Sequence, residues 1–426
     1  MHFLKVLTGC EKYVKPPINL EYGTAGFRAK AILLNHVAFR IGIVAYLRSV
    51  SKQKVVGLMI TASHNPEDDN GMKIIDPDGG MLDYSWENIA TNLVNCNNNE
   101  IEDILTNIIV SYKLDLIKYH GTVILGWDSR ISSESLVDIA CEGITSINGG
   151  ESKKIGLCTT PMVHYLVKCT NDTTYGTATI DGYYDKLLNA FNKLWNGKNK
   201  RDKYKSSIFF DGANGVGVLA MKRINEVIKD KIKIEFYNAD VHILGKLNFE
   251  CGADYIKQMQ QFPPTMPSET NQRCVSFDGD ADRILYYYLD DKKNFHLLDG
   301  DKMSVLIALF LKKLVKRSML KDVSFGIVQT AYANGNSTNF INEKLKIETS
   351  CVKTGVKYLH HKAMQYDIGI YFEANGHGTV LFSAELKNKI DVASKDTKYV
   401  IMNVFTFAKV ILHFKYCHLR LIFQDR

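Results

Sequence analysis

Three aspartates, Asp278, Asp280 and Asp282, stand at alternate positions in the stretch DGDADR. Carboxylates this close repel one another unless a cation sits between them, and oxygen-only donors select a hard ion such as Mg2+. Arg283 follows directly and offers the forked geometry that grips a phosphate. An exposed acidic turn is the plainer reading, but a turn has no need of three carboxylates in phase. A second stretch, ITASHNP at 60–66, presents Ser63 beside His64. A nucleophilic serine usually works with a base. Neighbours in an extended loop point apart, however, and the G-x-S-x-G of a Ser-His-Asp hydrolase is missing. A serine that carries a phosphoryl group needs a metal and cations around it, not a strong base. The aspartates and several basic residues supply both.

Other loops add candidates of lower specificity. EANGHG places Glu373, Asn375 and His377 within five residues. A carboxylate, an amide and an imidazole separated by small residues can read sugar hydroxyls, and His377 can shuttle a proton. Taken alone the loop is as readily a turn. YGTAGFR puts Arg28 after a flexible segment, and DNGMK puts Lys73 seven residues beyond Pro66. Each reads equally as a solvated surface cation. DGANGVG at 211–217 resembles a phosphate cradle but lacks the Lys-Ser/Thr of a Walker A loop and the spacing of a dinucleotide fold. It reads better as a structural turn.

These loops need elements to hold them. Short apolar runs precede each one: KVVGLMI, TVILGW, SSIFF, CVSF, FGIVQ and IGIYF. Their length and content suit buried strands. Amphipathic stretches at 36–50, 134–144 and 301–317 suit helices. Strand, loop and helix in repetition predict an α/β fold with largely parallel sheets, whose strand ends carry ligand loops. Asp128-Ser129-Arg130, after TVILGW, is one more such loop. No tandem repeat is visible in the sequence. The charged segment 196–207 reads as a domain edge, and 261–273, with three prolines, as a surface loop.

The bulk numbers agree with a globular enzyme. The 426 residues are 46% hydrophobic and 23% charged, with a net charge of +7. The basic residues are scattered, without the aromatic interleaving of a nucleic-acid groove, so no nucleic-acid partner is expected. The nine cysteines are irregularly spaced without a CxxC, which argues against a disulfide framework and a zinc ribbon and for a reducing, cytoplasmic setting. Charges interrupt the apolar C-terminal stretch, so no membrane partner is expected.

Together, YGTAGFR, TASHNPEDDNGMKIIDPDGGML, DGANG, FDGDADR, VQTAYANGNST, TGVKYLHHKA and YFEANGHGT resemble the phosphoacetylglucosamine mutase family of the α-D-phosphohexomutase superfamily, in order from about Glu21 to about Ser383. The resemblance implies three consecutive α/β domains with mixed, largely parallel sheets and an active site in the cleft between them. They fall at 1–180 (phosphoserine loop), 181–292 (metal) and 293–400 (sugar), with a divergent tail at 401–426. It implies interconversion of N-acetylglucosamine 6-phosphate and 1-phosphate, towards UDP-N-acetylglucosamine, by a monomer through a hexose 1,6-bisphosphate. Ser63 matches the phosphoserine, and Asp278, Asp280 and Asp282 match the Mg2+ ligands, with an oxygen of the Ser63 phosphate completing the site. Glu373, Asn375 and His377 match the sugar loop. Arg28, Lys73 and Arg283 match groups near the reacting phosphate, Lys73 and His377 being the proton-transfer candidates, and Lys357 matches a cation near the substrate.

Two features depart from that pattern. The family's fourth domain carries a phosphate-clamping loop of the type R-P-S-G-T-E, and no such loop is found here, so a fourth domain is expected to be absent and turnover weak. Trp127 stands where the family usually has arginine, in GWDSR. Two alternatives remain open: a truncated, weakly active or inactive fragment that still binds metal or phosphosugar, and a phosphoglucomutase or phosphomannomutase.

Overall fold

A computed structural model describes residues 3–195, 206–318 and 320–395. Most of the charged segment 196–207 and the whole tail 401–426 lie outside the described residues. Three α/β units follow one another, each built on one mixed sheet. The first sheet contains β1 (Phe27–Lys30), β2 (Val56–Ile60), β3 (Asp69–Ile75), β4 (Thr122–Trp127) and β5 (Glu151–Leu157), in the order β1-β3-β2-β4-β5. The second contains β6 (Ser207–Asp211), β7 (Lys233–Tyr237), β8 (Cys274–Phe277), β9 (Ile284–Leu289) and β10 (Phe295–Leu298), in the order β10-β9-β8-β6-β7. The third contains β11 (Phe325–Thr330), β12 (Glu348–Val352), β13 (Ile368–Phe372) and β14 (Gly378–Phe382), in the order β12-β11-β13-β14. The boundary expected at 292 falls in the β9–β10 hairpin, because β10 pairs with β9 and stays in the second sheet.

One plan underlies all three sheets. Strands β2, β4 and β5 run parallel, as do β8, β6 and β7, and β13, β11 and β12. In each triplet one flanking strand, β2, β8 or β13, is followed at once by an antiparallel partner, β3, β9 or β14. The turn from flanking strand to partner holds Ser63 in the first unit, the three aspartates in the second and Glu373 to His377 in the third. The six apolar runs all lie in parallel strands, and β2, β8 and β13 are buried throughout, as strands covered on both faces must be.

The helices expected at 36–50, 134–144 and 301–317 span Asn35–Lys52, Ser133–Thr145 and Gly300–Ser318. The first is not amphipathic in its surroundings: every residue from His36 to Val50 is buried. Its two arginines are bonded inside the unit. Arg40 Nη1 donates to the carbonyls of Leu93, Val94 and Cys96, capping the helix Tyr84–Asn95, and Arg48 forks onto Asp76. The eight described cysteines are free thiols. No described helix is long and apolar enough to cross a membrane.

Candidate active site

The serine loop is held by backbone contacts. Ser63 has φ +53°, in the left-handed region that costs a non-glycine residue about 1 kcal/mol or more. Its N–H bonds Thr61 Oγ1 at 2.9 Å, and Thr61 donates to Asp128 at 2.7 Å. Arg130 Nη2 donates to the carbonyls of Ser63 and Asn65 at 3.0 and 2.9 Å, Nη1 to those of Asp69 and Pro66, and Nε to Asp128. Asn248, from the second unit, adds bonds to the same Ser63 and Asn65 carbonyls at 2.9 and 3.2 Å. The loop after β4 therefore serves as the scaffold of the serine loop.

Ser63 Oγ is buried against the aspartates, donating to Asp278 Oδ2 at 2.5 Å with Asp282 Oδ1 at 3.3 Å. It makes that bond to Asp278 and not to His64, whose buried Nδ1 has no hydrogen-bond partner. Burial, then the Arg283 charge, pushes His64 down to about 4, so it stays neutral. A side chain at Gly279 would bring Cβ within 2.6 Å of the Ser63 carbonyl, so the glycine of DGDADR lets the two loops touch. Val216 N–H donates to the Gly279 carbonyl at 3.1 Å, so DGANGVG buttresses the aspartate loop, and none of its residues lines the cavity. Its Asp211 is buried and bonded to Ser276, Asn238 and Gly252.

The three aspartates are buried, and one carboxylate oxygen from each lies within 4.8 Å of the others. Asp278 is raised well above the usual carboxylate range by burial and by the charges of Asp282 and Asp280. Burial acts the same way on Asp282, but Lys73, His377 and Arg283 outweigh it and hold that carboxyl well below the usual range. Asp280 Oδ1 is buried with no hydrogen-bond partner. An orphaned anionic oxygen in an all-oxygen cluster fits a hard divalent cation, which would let all three carboxylates ionise together.

Lys73 Nζ reaches Asp280 and Asp282 at 3.1 Å each. Burial lowers its affinity for a proton, but the two carboxylates prevail and raise it. Arg283 pairs with Asp254 at 3.1 Å, and Arg28 Nη1 lies 3.4 Å from Asn65 Oδ1. A cavity of about 330 Å³ opens above this cluster. Arg28, Lys73, Asp282 and Arg283 line it together with Glu373, Asn375 and His377. His377 Nδ1 comes within 3.5 Å of Asp282, joining the loop at 373–377 to the aspartate loop.

One candidate lies elsewhere than expected. Lys357 does not line the cavity; its Nζ is paired with Glu87 and the Leu82 carbonyl, both at 2.8 Å. Four contributors escaped the sequence reading. Thr160 donates to Asp280 at 2.5 Å, His164 lines the cavity and is pushed down to about 4 by burial, and Asp254 and Asn248 support the loops from the second unit. Thr160 had a visible signal, a polar pair before Pro161 at a helix start. The others had no local pattern.

Comparisons with known proteins converge. The family models "Phosphoacetylglucosamine mutase AMG1, domain III" and "domain II" match residues 299–413 and 172–285. "Phosphoglucomutase/phosphomannomutase, alpha/beta/alpha domain I" matches 30–101 and 96–178. The chain is 46% identical over 380 residues to the phosphoacetylglucosamine mutase of Sus scrofa, covering 88% of this chain and 69% of that one. The crystal structure of an N-acetylglucosamine-phosphate mutase in its product complex superposes with TM-score 0.90 at 41% identity, covering 97% of this chain and 78% of the other. The Aspergillus fumigatus mutase superposes with TM-score 0.89 at 39% identity, covering 96% and 76%, in complexes with GlcNAc-6P and magnesium and with glucose 1,6-bisphosphate.

Proposed function

This chain belongs to the phosphoacetylglucosamine mutase family of the α-D-phosphohexomutase superfamily, and on that premise we propose that Ser63 is the phosphoryl carrier of its reaction. The reaction interconverts N-acetylglucosamine 6-phosphate and N-acetylglucosamine 1-phosphate through a hexose 1,6-bisphosphate. The observation that carries the assignment is Ser63 Oγ, 2.5 Å from Asp278 in a buried carboxylate cluster beside a cavity that Glu373, Asn375 and His377 also line.

Phosphorylated Ser63 gives its phosphoryl group to the free hydroxyl of the bound sugar phosphate. The P–O bond to Ser63 breaks, one to the sugar oxygen forms, and the hydroxyl proton leaves. The bisphosphate then turns and returns its other phosphoryl group to Ser63 Oγ. Asp278, Asp280 and Asp282 hold Mg2+, which when bound neutralises charge on the transferring phosphoryl oxygens. Arg28 and Arg283 face the same space and stabilise the phosphate oxygens. Lys73, kept as an ammonium by Asp280 and Asp282, is suited to donate a proton to the departing serine oxygen. His377 is suited to accept the sugar proton. Glu373 and Asn375 take the sugar hydroxyls. The irregular spacing of the nine cysteines, without a CxxC, supports a reducing, cytoplasmic setting.

Phosphorus NMR tests the assignment. With Mg2+, N-acetylglucosamine 6-phosphate and a trace of glucose 1,6-bisphosphate, a 1-phosphate signal should grow with the wild type and not with Ser63→Ala. Equal growth in both removes Ser63 from the reaction.

A further inference from the structure

Between the first and third units runs a seam that the chemistry above does not use. Lys357 is the second residue of the helix Val356–Ala363 of the third unit. Its ammonium crosses to the first unit and bonds Glu87 Oε1 and the Leu82 carbonyl, each at 2.8 Å. The two side chains are 7% and 13% exposed. The ring of Tyr84 lies 5.4 Å from the same ammonium. Beside it, Gly355 has φ +124°, and a Cβ there would come within 2.8 Å of Thr24 Cγ2 of the first unit. The two units therefore meet almost backbone to side chain.

The seam closes the cavity wall. Leu82 and Glu87 line the cavity from the first unit, and Val356 and His360 from the third. A rigid path leads from Lys357 to the sugar loop. One turn along the same helix, His360 Nδ1 bonds the Tyr371 hydroxyl at 3.0 Å. Tyr371 lies on β13, two residues before Glu373. The position of Lys357 is thus transmitted through one helix and one strand to the residues that face the substrate.

We propose that the Lys357–Glu87 pair is a latch that seats the sugar loop against the first unit, so that Lys357 positions the sugar phosphate without touching it. The proposal rests on the sugar-phosphate reading of the cavity. Its physical basis is the asymmetry of a buried ion pair: removing either partner strands the other in a poorly solvated place, and separating the units relieves it. Neither unit needs the pair for its own sheet. Loss of the latch therefore weakens the closed cleft more than it weakens the fold.

A mutant cycle with Lys357→Met, Glu87→Gln, the double variant and the conservative Lys357→Arg tests it by two readouts. In calorimetry with Mg2+ present, each single variant should weaken N-acetylglucosamine 6-phosphate binding and raise KM by about tenfold or more, with kcat changed less than about threefold. The double variant should be no worse than either single one, Lys357→Arg should keep most of the affinity, and Mg2+ affinity should stay within about twofold throughout. In the ligand-free protein, hydrogen exchange should rise together at 82–87, 356–363 and 373–377 in both single variants. Loss of affinity in Lys357→Met but not in Glu87→Gln overturns the latch and makes Lys357 a substrate ligand. Lower thermal stability with unchanged affinity and exchange also overturns it, leaving a merely structural pair. A wild type that binds no sugar phosphate sinks the reading of the cavity, while coupled exchange in that same protein would still uphold the latch between units.

Discussion

Arg130 is 2% exposed, yet its guanidinium meets one carboxylate and four backbone carbonyls of a single loop. Five fixed donors in one plane suit that task, and a lysine cannot reproduce it. Arg130→Lys should cost about 3 kcal/mol of stability, because it leaves buried carbonyls unsatisfied, and should slow turnover at least tenfold by loosening Ser63. Urea unfolding and initial rates measure both; a variant as active and stable as wild type would remove Arg130 from the support of the serine loop. At this scale the sequence was most legible where chemistry is local. Asp278, Asp280 and Asp282 declared themselves by spacing, and the structure clusters them. Arg130 gave no such sign, because its partners at 63–69 are recognisable only once the fold brings them near. Lys357 misled for the converse reason: a cation in a promising motif is bound by Glu87, 270 residues away.

At the scale of elements, the helix Asn35–Lys52 shows how burial overrides an amphipathic pattern. His36 lies inside it, 1% exposed, and burial followed by the charge of Arg40 pushes its pKa down to about 4 from 6.5. The folded protein therefore refuses a proton that the unfolded chain accepts between about pH 6.5 and pH 4. Stability is fully present above that window and falls as the pH drops through it. His36 alone should remove about 2 kcal/mol between pH 7 and pH 4.5. His36→Leu should flatten that part of the profile in chemical denaturation at the two pH values, and an unchanged slope would refute the assignment. The strands were legible from apolar runs bounded by glycine and polar loops, and TVILGW, CVSF and IGIYF match β4, β8 and β13 residue for residue. The β9–β10 hairpin was not, because the residues of a short edge strand such as β10 carry no local sign of which sheet receives them.

For the whole molecule, the cavity lies where three units meet, and the carboxylate cluster of the second unit is bonded by Ser63 of the first. Mg2+ should therefore stabilise the folded chain by mass action, by about 2.7 kcal/mol at a hundred times its Kd. Calorimetric scans should show the midpoint rising with Mg2+ concentration, returning with a chelator, and ceasing to respond in Asp280→Asn. A full response in that variant would move the ion elsewhere. The division into α/β units was foreseeable from repeated strand-loop-helix runs. Their common plan was hidden, because equivalence lies in strand pairing and not in residue identity.

That common plan is filled in two different chain orders. In the second and third units the central strand and its outer neighbour come first in the chain, and the loop-bearing strand and its antiparallel partner follow. In the first unit the same positions are filled in rotated order, β2 and β3 before β4 and β5. Duplication of one ancestral segment, with a circular permutation of one copy, would leave this record. In all three units the same turn, from the loop-bearing strand to its antiparallel partner, carries the residues that meet at the site: Ser63, Asp278 to Asp282, and Glu373 to His377. Because the three turns sit on separate sheets, a substitution in one leaves the strand pairing that holds the other two untouched.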